Sequence, residues 1–252
     1  MKRLVAFDLD GTLAESKQPL DEEMANILAR LSSVAEVCII SGGDWPQFQK
    51  QVVSRLPADA NLERFWIMPT TGTKLYCFEE GAWICKYADL FSDDERAGII
   101  NEVRAGIARL GIAPEQIWGE QVEDRGSQIT FSALGQEAPL KPKEEWDPRQ
   151  EKRRKLQAEL EPHLPGLSVR IGGATSIDIT RAGVDKAYGM ERLATLSEIG
   201  KHEMLFFGDA LYSGGNDAPV RETAGIDSVQ VYAIDQTKRA VEAVILCLAA
   251  AR

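Results

Sequence analysis

The chain has 252 residues, of which 44% are hydrophobic and 27% charged, and its formal net charge is −10. This composition excludes disordered, collagen-like and disulfide-scaffold proteins, and the length fits one large domain or one domain with an insertion. The negative charge argues against general affinity for nucleic acid or for an anionic membrane surface. An anionic ligand must therefore meet locally placed cations.

Histidine and cysteine are scarce. The two histidines lie far apart in the sequence, and the four cysteines form no CxxC pair, so imidazole catalysis and a zinc site are disfavoured. No apolar run reaches the ~18 residues of a membrane span, and no secretion signal is apparent. We therefore expect a cytoplasmic protein that uses carboxylate chemistry.

The outer parts of the chain alternate between strand and helix patterns. Apolar residues recur at helical spacing in 24–31 and 241–248. Short continuous apolar runs, typical of strands buried on both faces of a parallel sheet, occur at 4–7, 37–40, 66–68 and 204–207. This alternation predicts an α/β fold, a Rossmann-like doubly wound parallel sheet.

The middle of the chain has a different pattern. Apolar and polar residues alternate strictly in 129–133, 167–171 and 176–180, which predicts an antiparallel sheet with one apolar face. Apolar residues at helical spacing in 99–110 and 156–164 predict two helices that could cover that face. We therefore predict an inserted α+β domain.

The predicted boundaries place this inserted domain at 88–182 and the α/β core at 1–87 plus 183–252. A basic run, Arg149 to Lys155, opens the second helix of the insertion. It is predicted to be a solvated helix face, and no function is assigned to it.

Two carboxylates follow the first predicted strand, where open α/β sheets bind ligands. Asp8 and Asp10 stand in the segment DLDGT, and Asp209 and Asp217 follow the last predicted strand in GDALYSGGND. One alternative is that Asp10 and Gly11 only form a turn after the strand, which would account for this part of the pattern without any function. However, several carboxylates at neighbouring strand ends require a cation, and their oxygen atoms suit Mg²⁺.

Two further features fit a phosphorylated ligand. Ser41 and Gly42 follow the second predicted strand and offer a hydroxyl and a backbone N–H group to a phosphate. Lys186 stands where the parallel pattern resumes and supplies a compensating positive charge.

In order and spacing, these segments resemble the four motifs of the haloacid dehalogenase (HAD) superfamily of phosphotransferases. The insertion resembles the cap of the type IIB branch, which includes sugar phosphatases and eukaryotic phosphomannomutases. The phosphomannomutases are the most similar: DLDGTLAESKQ at 8–18 resembles their DVDGTLTPARQ, and GDALYSGGND keeps their GD and GGND. In the cap, EDR at 123–125 followed by 129–135 resembles their EFRNGMLN, and GGATSID at 172–178 resembles GGMISFD.

The resemblance implies catalysis through an aspartyl phosphate. Asp8 is then the nucleophile, Asp10 the general acid and base, and Lys186 a fixed positive charge. The implied phosphate-binding groups are Lys186, Thr12, Ser41 and Gly42, although Thr12 alternatively caps a turn. The implied magnesium site comprises Asp8, Asp209 and the Asp10 carbonyl, with Asn216 and Asp217 orienting metal-bound waters and Lys186.

The resemblance also implies substrate contacts from the cap. They are assigned to Arg125, Ser176 and Asp178, and the alternating pattern independently places Ser176 and Asp178 on the polar strand face. Lys17 is a further substrate candidate, with a solvated surface position as the alternative. Relatives in the mutase branch dimerise through their caps, so a homodimer of that kind is implied here too.

Two positions depart from the mutase pattern. Lys17 and Gln136 stand where the mutases carry phosphate-binding arginines. Glutamine is uncharged and cannot bind a phosphate through two charged N–H groups as arginine does. The sequence therefore favours a Mg²⁺-dependent phosphatase of sugar phosphates or similar small metabolites. The alternatives are a phosphomannomutase-like enzyme that interconverts hexose 1- and 6-phosphates and, third, a non-catalytic module that binds a phosphorylated ligand.

Overall fold

The computed structural model describes residues 1–251 and divides into two compact units. The first joins Met1–Ala88 to the chain from Val184 onward, and the second is Asp89–Gly183. Both boundaries lie one residue beyond the positions expected from the sequence pattern. Each unit has its own sheet and its own apolar core.

Strands and helices alternate along most of the chain. The strands are β1 (Leu4–Phe7), β2 (Glu36–Ile40), β3 (Phe65–Met68), β4 (Lys74–Glu79), β5 (Ala82–Ala88), β6 (Val122–Asp124), β7 (Ile129–Ser132), β8 (Leu167–Ile171), β9 (Ser176–Arg181), β10 (Met204–Gly208) and β11 (Asp227–Gln230). The α-helices are α1 (Glu22–Val34), α2 (Trp45–Gln51), α3 (Asp93–Leu110), α4 (Leu140–Trp146), α5 (Glu151–Leu160), α6 (Lys186–Ser197), α7 (Ala218–Glu222) and α8 (Ile234–Ala250). Within residues 1–251, no helix has the length and apolar content needed to cross a bilayer.

The first unit contains a seven-stranded sheet in the order β11-β10-β1-β2-β3-β4-β5. The strands from β11 to β3 are parallel, which confirms the predicted doubly wound core. The antiparallel hairpin of β4 and β5 extends the sheet at one edge and was not predicted. Its two turn residues, Glu80 and Gly81, both have positive φ, as a tight two-residue hairpin turn requires.

The parallel strands are covered on both faces, which explains their continuous apolar sequence. In β1, Val5 and Phe7 pack in the layer that includes α1 and α8, whereas Leu4 and Ala6 pack in the layer that includes α6. Because successive side chains of a strand point to opposite faces, a strand buried on both sides has no position for a polar residue.

The second unit contains an antiparallel sheet in the order β6-β7-β9-β8. Helices α3 and α5 pack against one face, where Phe131 and Ile177 of the sheet meet Val103 and Leu156 of the helices. The opposite face carries the polar residues that alternate with them. The alternating pattern therefore predicted this sheet correctly.

The basic run at the start of α5 is solvated except at one position. Arg149, Lys152, Arg154 and Lys155 are exposed, as predicted. Arg153 is only 4% exposed, so the prediction of a solvated face is wrong for this residue. It is buried because its guanidinium is paired with the buried carboxylate of Asp147.

Two glycines in the first unit allow a matched test of close packing. Gly72 and Gly81 have nearly the same φ, +82° and +81°. A Cβ atom at Gly72 would lie 2.5 Å from the Cα of Gly189 in α6, whereas one at Gly81 would meet no atom within 4 Å. An alanine at either position would therefore carry similar backbone strain. Only at position 72 would its Cβ atom also clash with a neighbouring atom.

We expect Gly81→Ala to lower the free energy of unfolding by about 1–2 kcal/mol, the cost of a left-handed alanine. Gly72→Ala should lower it by about 1–3 kcal/mol more, because the backbone of α6 must move. Urea unfolding midpoints at unchanged slope measure both effects. Equal losses in the two variants would contradict the close approach of Gly72 and Gly189.

Candidate active site

The candidate site lies at the carboxyl ends of three neighbouring strands of the first unit. Asp8 follows β1, Ser41 follows β2, and Asp209 follows β10. The Asp8 backbone N–H donates to the Phe207 carbonyl at 2.9 Å, which ties the two acidic strand ends together. Parallel order thus brings residues far apart in sequence to one edge of the sheet, as ligand sites of open α/β sheets require.

A buried lysine lies between two of the carboxylates. The Lys186 Nζ donates hydrogen bonds to Asp8 and to Asp217, and its side chain is 2% exposed. The Asp217 carboxylate also accepts from the Ala210 backbone N–H at 2.9 Å. One carboxylate oxygen each from Asp8, Asp209 and Asp217 lies within 4.8 Å of the other two. The predicted nucleophile, lysine and two of the acidic residues therefore form one cluster.

This cluster is short of positive charge. Burial raises the pKa of Asp8 to about 7, with Lys186 opposing the rise and Asp217 adding to it. Burial and Asp217 also raise the pKa of Asp209. Burial alone would lower the pKa of Lys186, but Asp8 and Asp217 raise it above its ordinary value. Three carboxylates against one ammonium, with the pKa values of Asp8 and Asp209 raised, are a donor set that fits a divalent cation.

Asp10 lies outside this cluster and is held by donors from the first loop and α2. Its carboxylate accepts from the Lys17 backbone N–H at 2.8 Å, from Gln47 Nε2 at 3.4 Å and from Gln51 Nε2 at 3.3 Å. Gln51 is buried and also donates to the Gln18 carbonyl at 2.7 Å. Neither glutamine was predicted from the sequence. Their spacing of four residues does place both side chains on one face of α2.

The predicted phosphate-binding groups surround the same strand ends. Thr12 is fully buried, and its Oγ1 has no hydrogen-bond partner among residues 1–251, so an oxygen ligand would satisfy it. Ser41 is buried at the end of β2, and Gly42 follows it. Gly11 has a φ of +91°, and a Cβ there would lie 2.5 Å from Asp209 Oδ2. Only glycine allows the Asp209 carboxylate to lie so close to this loop.

The remaining predicted residues of the first unit are more peripheral. Asn216 is exposed, and its neighbour Asp217 contributes the buried carboxylate. Lys17 is exposed, with a φ of +59°. Its backbone N–H donates to the Asp10 carboxylate at 2.8 Å.

In the second unit, charged and polar residues cross the polar face of the sheet in one row. Backbone pairing places Glu123 opposite Thr130, Thr130 opposite Asp178, and Asp178 opposite Arg170. Thr130 Oγ1 donates to Asp178 Oδ1 at 2.7 Å. Burial raises the pKa of Asp178, and the positive charge of Arg125 opposes this rise.

Arg125 borders this row, and its Nη2 donates to Glu123 Oε2 at 2.7 Å. Ser176 lies two residues before Asp178 and is half-buried. Lys143, which sequence reasoning missed, donates from Nζ to the Gln136 carbonyl at 3.2 Å. Ser176 and Asp178 therefore lie on one strand with Arg125 near Asp178, and Lys143 of α4 lies beside Gln136.

The family model for eukaryotic phosphomannomutase matches residues 24–247, which is most of the chain. The protein belongs to the phosphomannomutase family. The phosphomannomutase of Schizosaccharomyces pombe is 28% identical over 223 residues, covering 86% of this chain and 84% of the relative. Human phosphomannomutase 1 is 27% identical over 222 residues, covering 85% and 81%.

Solved structures confirm the HAD-like fold that the sequence predicted. An N-terminally truncated IMP-nucleotidase of Plasmodium falciparum superposes with a TM-score of 0.70 at 18% identity, covering 98% of this chain and 71% of that one. A haloacid dehalogenase-like hydrolase from Bacteroides thetaiotaomicron gives 0.64 at 15% identity, covering 97% and 100%. The phosphomannomutase match includes the whole second unit, Lys186 and Asp209, but begins after the DLDGT segment. The contact between Lys186 and Asp8 connects this segment to the matched region.

Removal of the buried lysine tests the charge balance of this site. Lys186→Met leaves Asp8 and Asp217 buried without a counter-ion, so we expect the free energy of unfolding at pH 8 in EDTA, where both carboxyls are ionised, to fall by about 3–5 kcal/mol. The double variant with Asp217→Asn should recover part of this loss, because one of the two stranded charges is gone.

A surface ion pair serves as the control. Lys201 pairs with Glu191 at 2.8 Å in a largely exposed position, so Lys201→Met should change the free energy by less than about 1 kcal/mol. Denaturant unfolding measures all three variants. Similar effects of Lys186→Met and Lys201→Met would show that the buried lysine does not neutralise the carboxylates.

Proposed function

We propose that this protein is a phosphomannomutase-like enzyme that interconverts hexose 1- and 6-phosphates through a phosphorylated Asp8. The proposal rests chiefly on one observation: the acidic cluster with its buried lysine occurs in a chain that matches the phosphomannomutase model across both units. The relatives that carry the name phosphomannomutase align over 85% or more of this chain. The names of these relatives support the mutase interpretation, which the sequence alone ranked second to a phosphatase.

In the proposed first half-reaction, an Asp8 carboxylate oxygen forms a bond to phosphorus while the bond from phosphorus to the sugar oxygen breaks. Asp10 donates a proton to that leaving oxygen. In the second half-reaction Asp10 takes a proton from the accepting sugar hydroxyl, whose oxygen then receives the phosphoryl group from Asp8. The hydrogen bonds from Lys17, Gln47 and Gln51 hold Asp10 in position for both transfers.

The other residues of the site would stabilise the charge that the phosphoryl group carries. Lys186 supplies a fixed positive charge beside Asp8, and Thr12, Ser41 and the Gly42 N–H donate to phosphate oxygens. Mg²⁺, held by Asp8, Asp209 and the Asp10 carbonyl with Asp217 and Asn216 nearby, would neutralise charge on the phosphate and the nucleophile.

We assign recognition of the sugar and its distal phosphate to the polar face of the second unit. Arg125, Ser176 and Asp178 supply a cation, a hydroxyl and a carboxylate to that face. The Nζ of Lys143 donates to the Gln136 carbonyl, so a cation lies close to the position where the mutases carry an arginine. This observation favours the mutase despite the loss of that arginine.

Hydrolysis is the second candidate function. It is favoured by the presence of Gln136 at a position where the mutases carry a phosphate-binding arginine. Lysine binds phosphate as a point charge, whereas arginine binds it through a rigid fork. A weaker grip on the distal phosphate lets the sugar leave before the phosphoryl group returns to it, and water then attacks the aspartyl phosphate.

Phosphorus NMR distinguishes the two activities. With Mg²⁺, mannose 1-phosphate and a catalytic amount of a hexose bisphosphate, we expect conversion to mannose 6-phosphate. Inorganic phosphate as the main product would identify a phosphatase instead. Asp8→Asn should abolish either activity, because an amide oxygen cannot form the phosphoenzyme; unchanged turnover in this variant would exclude the mechanism.

Metal addition provides a separate test that needs no substrate. Burial raises the pKa of Asp8 from 3.8 in the unfolded chain to about 7 in the fold. Without metal, ionisation of this carboxyl therefore destabilises the fold as the pH rises between these two values. Mg²⁺ binds the deprotonated form. We therefore expect Mg²⁺ to raise the melting temperature more at pH 8 than at pH 5.

Asp209→Asn serves as the control, because it removes one carboxylate from the cluster and should remove most of the Mg²⁺ effect at pH 8. An equal increase at both pH values, or an undiminished increase in the variant, would place the metal elsewhere.

A further inference from the structure

A buried ion pair joins the two short helices of the second unit. Asp147 ends α4, Arg153 is the third residue of α5, and both are 4% exposed. Arg153 Nε donates to Asp147 Oδ2 at 3.1 Å, and Nη2 donates to the Asp147 carbonyl at 2.9 Å. The Asp147 carboxylate also accepts from the backbone N–H groups of Lys152 at 3.1 Å and Arg153 at 3.0 Å. The guanidinium is therefore fixed from one side by a single residue.

The remaining arm of the guanidinium contacts a different part of the unit. Arg153 Nη1 donates to the carbonyl of Gly173, which lies in the loop between β8 and β9. Arg153 thus connects the α4–α5 corner to this loop. Its exposed neighbour Arg154 follows directly on the same helix.

This loop lies directly against the side chains assigned to substrate recognition. A Cβ atom at Gly172 would be 2.7 Å from Asp178 Oδ2, and one at Gly173 would be 3.7 Å from Ser176 Oγ. The Gly172 N–H donates to the Ser176 carbonyl at 2.9 Å. Adjacent glycines give a chain many accessible conformations, so a loop of this composition depends on outside contacts for a fixed shape.

We infer that Arg153 is a positioning residue for substrate specificity: it fixes the Gly172–Gly173 backbone and, through it, the places of Ser176 and Asp178. The inference rests on the proposed function, which assigns the sugar to this face. Lysine cannot replace this arginine, because an ammonium cannot reach Asp147 and Gly173 with the geometry of a planar fork.

Two measurements on Arg153→Lys test the inference, with Arg154→Lys as the matched control. Hydrogen exchange by mass spectrometry should show faster exchange in a peptide spanning residues 172–178, with unchanged exchange in β10 and α6 of the first unit. In the mutase assay, KM for mannose 1-phosphate should rise on the order of tenfold, while kcat changes less than KM, because binding geometry rather than the phosphoryl-transfer site is altered. Arg154→Lys should change neither quantity.

The outcomes are separable. Wild-type protein without activity on hexose phosphates would count against the proposed function, and the exchange measurement would still decide whether Arg153 fixes the loop. Unchanged exchange at 172–178, or faster exchange with an unchanged KM, would overturn the inference. If Arg153→Lys does not fold, Asp147→Asn tests the same connection from its other end and should give the same changes at smaller amplitude.

Discussion

The ammonium of Lys186 allows two carboxylates to be buried together at the end of the central strands. Without it, Asp8 and Asp217 would repel each other in a place where water cannot screen them. Lys186 is also the first residue of α6, where the helix dipole disfavours a cation. Its position is thus unfavourable for the helix dipole and favourable for the carboxylates. The side chain of Asp185 caps the helix by accepting from the Tyr188 N–H at 3.0 Å, which fixes where α6 begins and hence where the ammonium lies.

The same charge balance accounts for the kind of ligand that fits the site. One ammonium among three carboxylates leaves the cluster negative when all are ionised, so a phosphate dianion cannot enter unless another cation accompanies it. The net charge of −10 gives the surface no compensating positive field. In the proposed function, neutral donors such as the Thr12 hydroxyl would then contribute hydrogen bonds to the phosphate. A site of this composition would couple metal binding to phosphate binding, because each reduces the electrostatic cost of the other.

The sequence predicted the parts of the site that depend on strand order. Asp8, Ser41 and Asp209 each follow a buried strand, and parallel strands bring their carboxyl ends to one edge. It did not predict Gln51 or Arg153, because the partners that bury these long polar side chains are remote: Asp10 lies 41 residues from Gln51, and Gly173 lies 20 from Arg153. A charged run on a helix is usually solvated, and only the packed fold reveals the exception.

In the proposed function, the two departures from the family's arginines would change how the substrate is bound without disturbing the main-chain hydrogen bonds at these positions. Lys17 contacts Asp10 through its backbone N–H, a group that any residue except proline provides. Gln136 likewise accepts from Lys143 through its backbone carbonyl. Side-chain changes at these positions alter the cations offered to a phosphate but leave the main-chain hydrogen bonds in place. A change of side chain at position 17 can therefore alter the charge offered to a substrate while Asp10 keeps its position, because Asp10 is held by the main-chain N–H of residue 17 and by the side chains of Gln47 and Gln51.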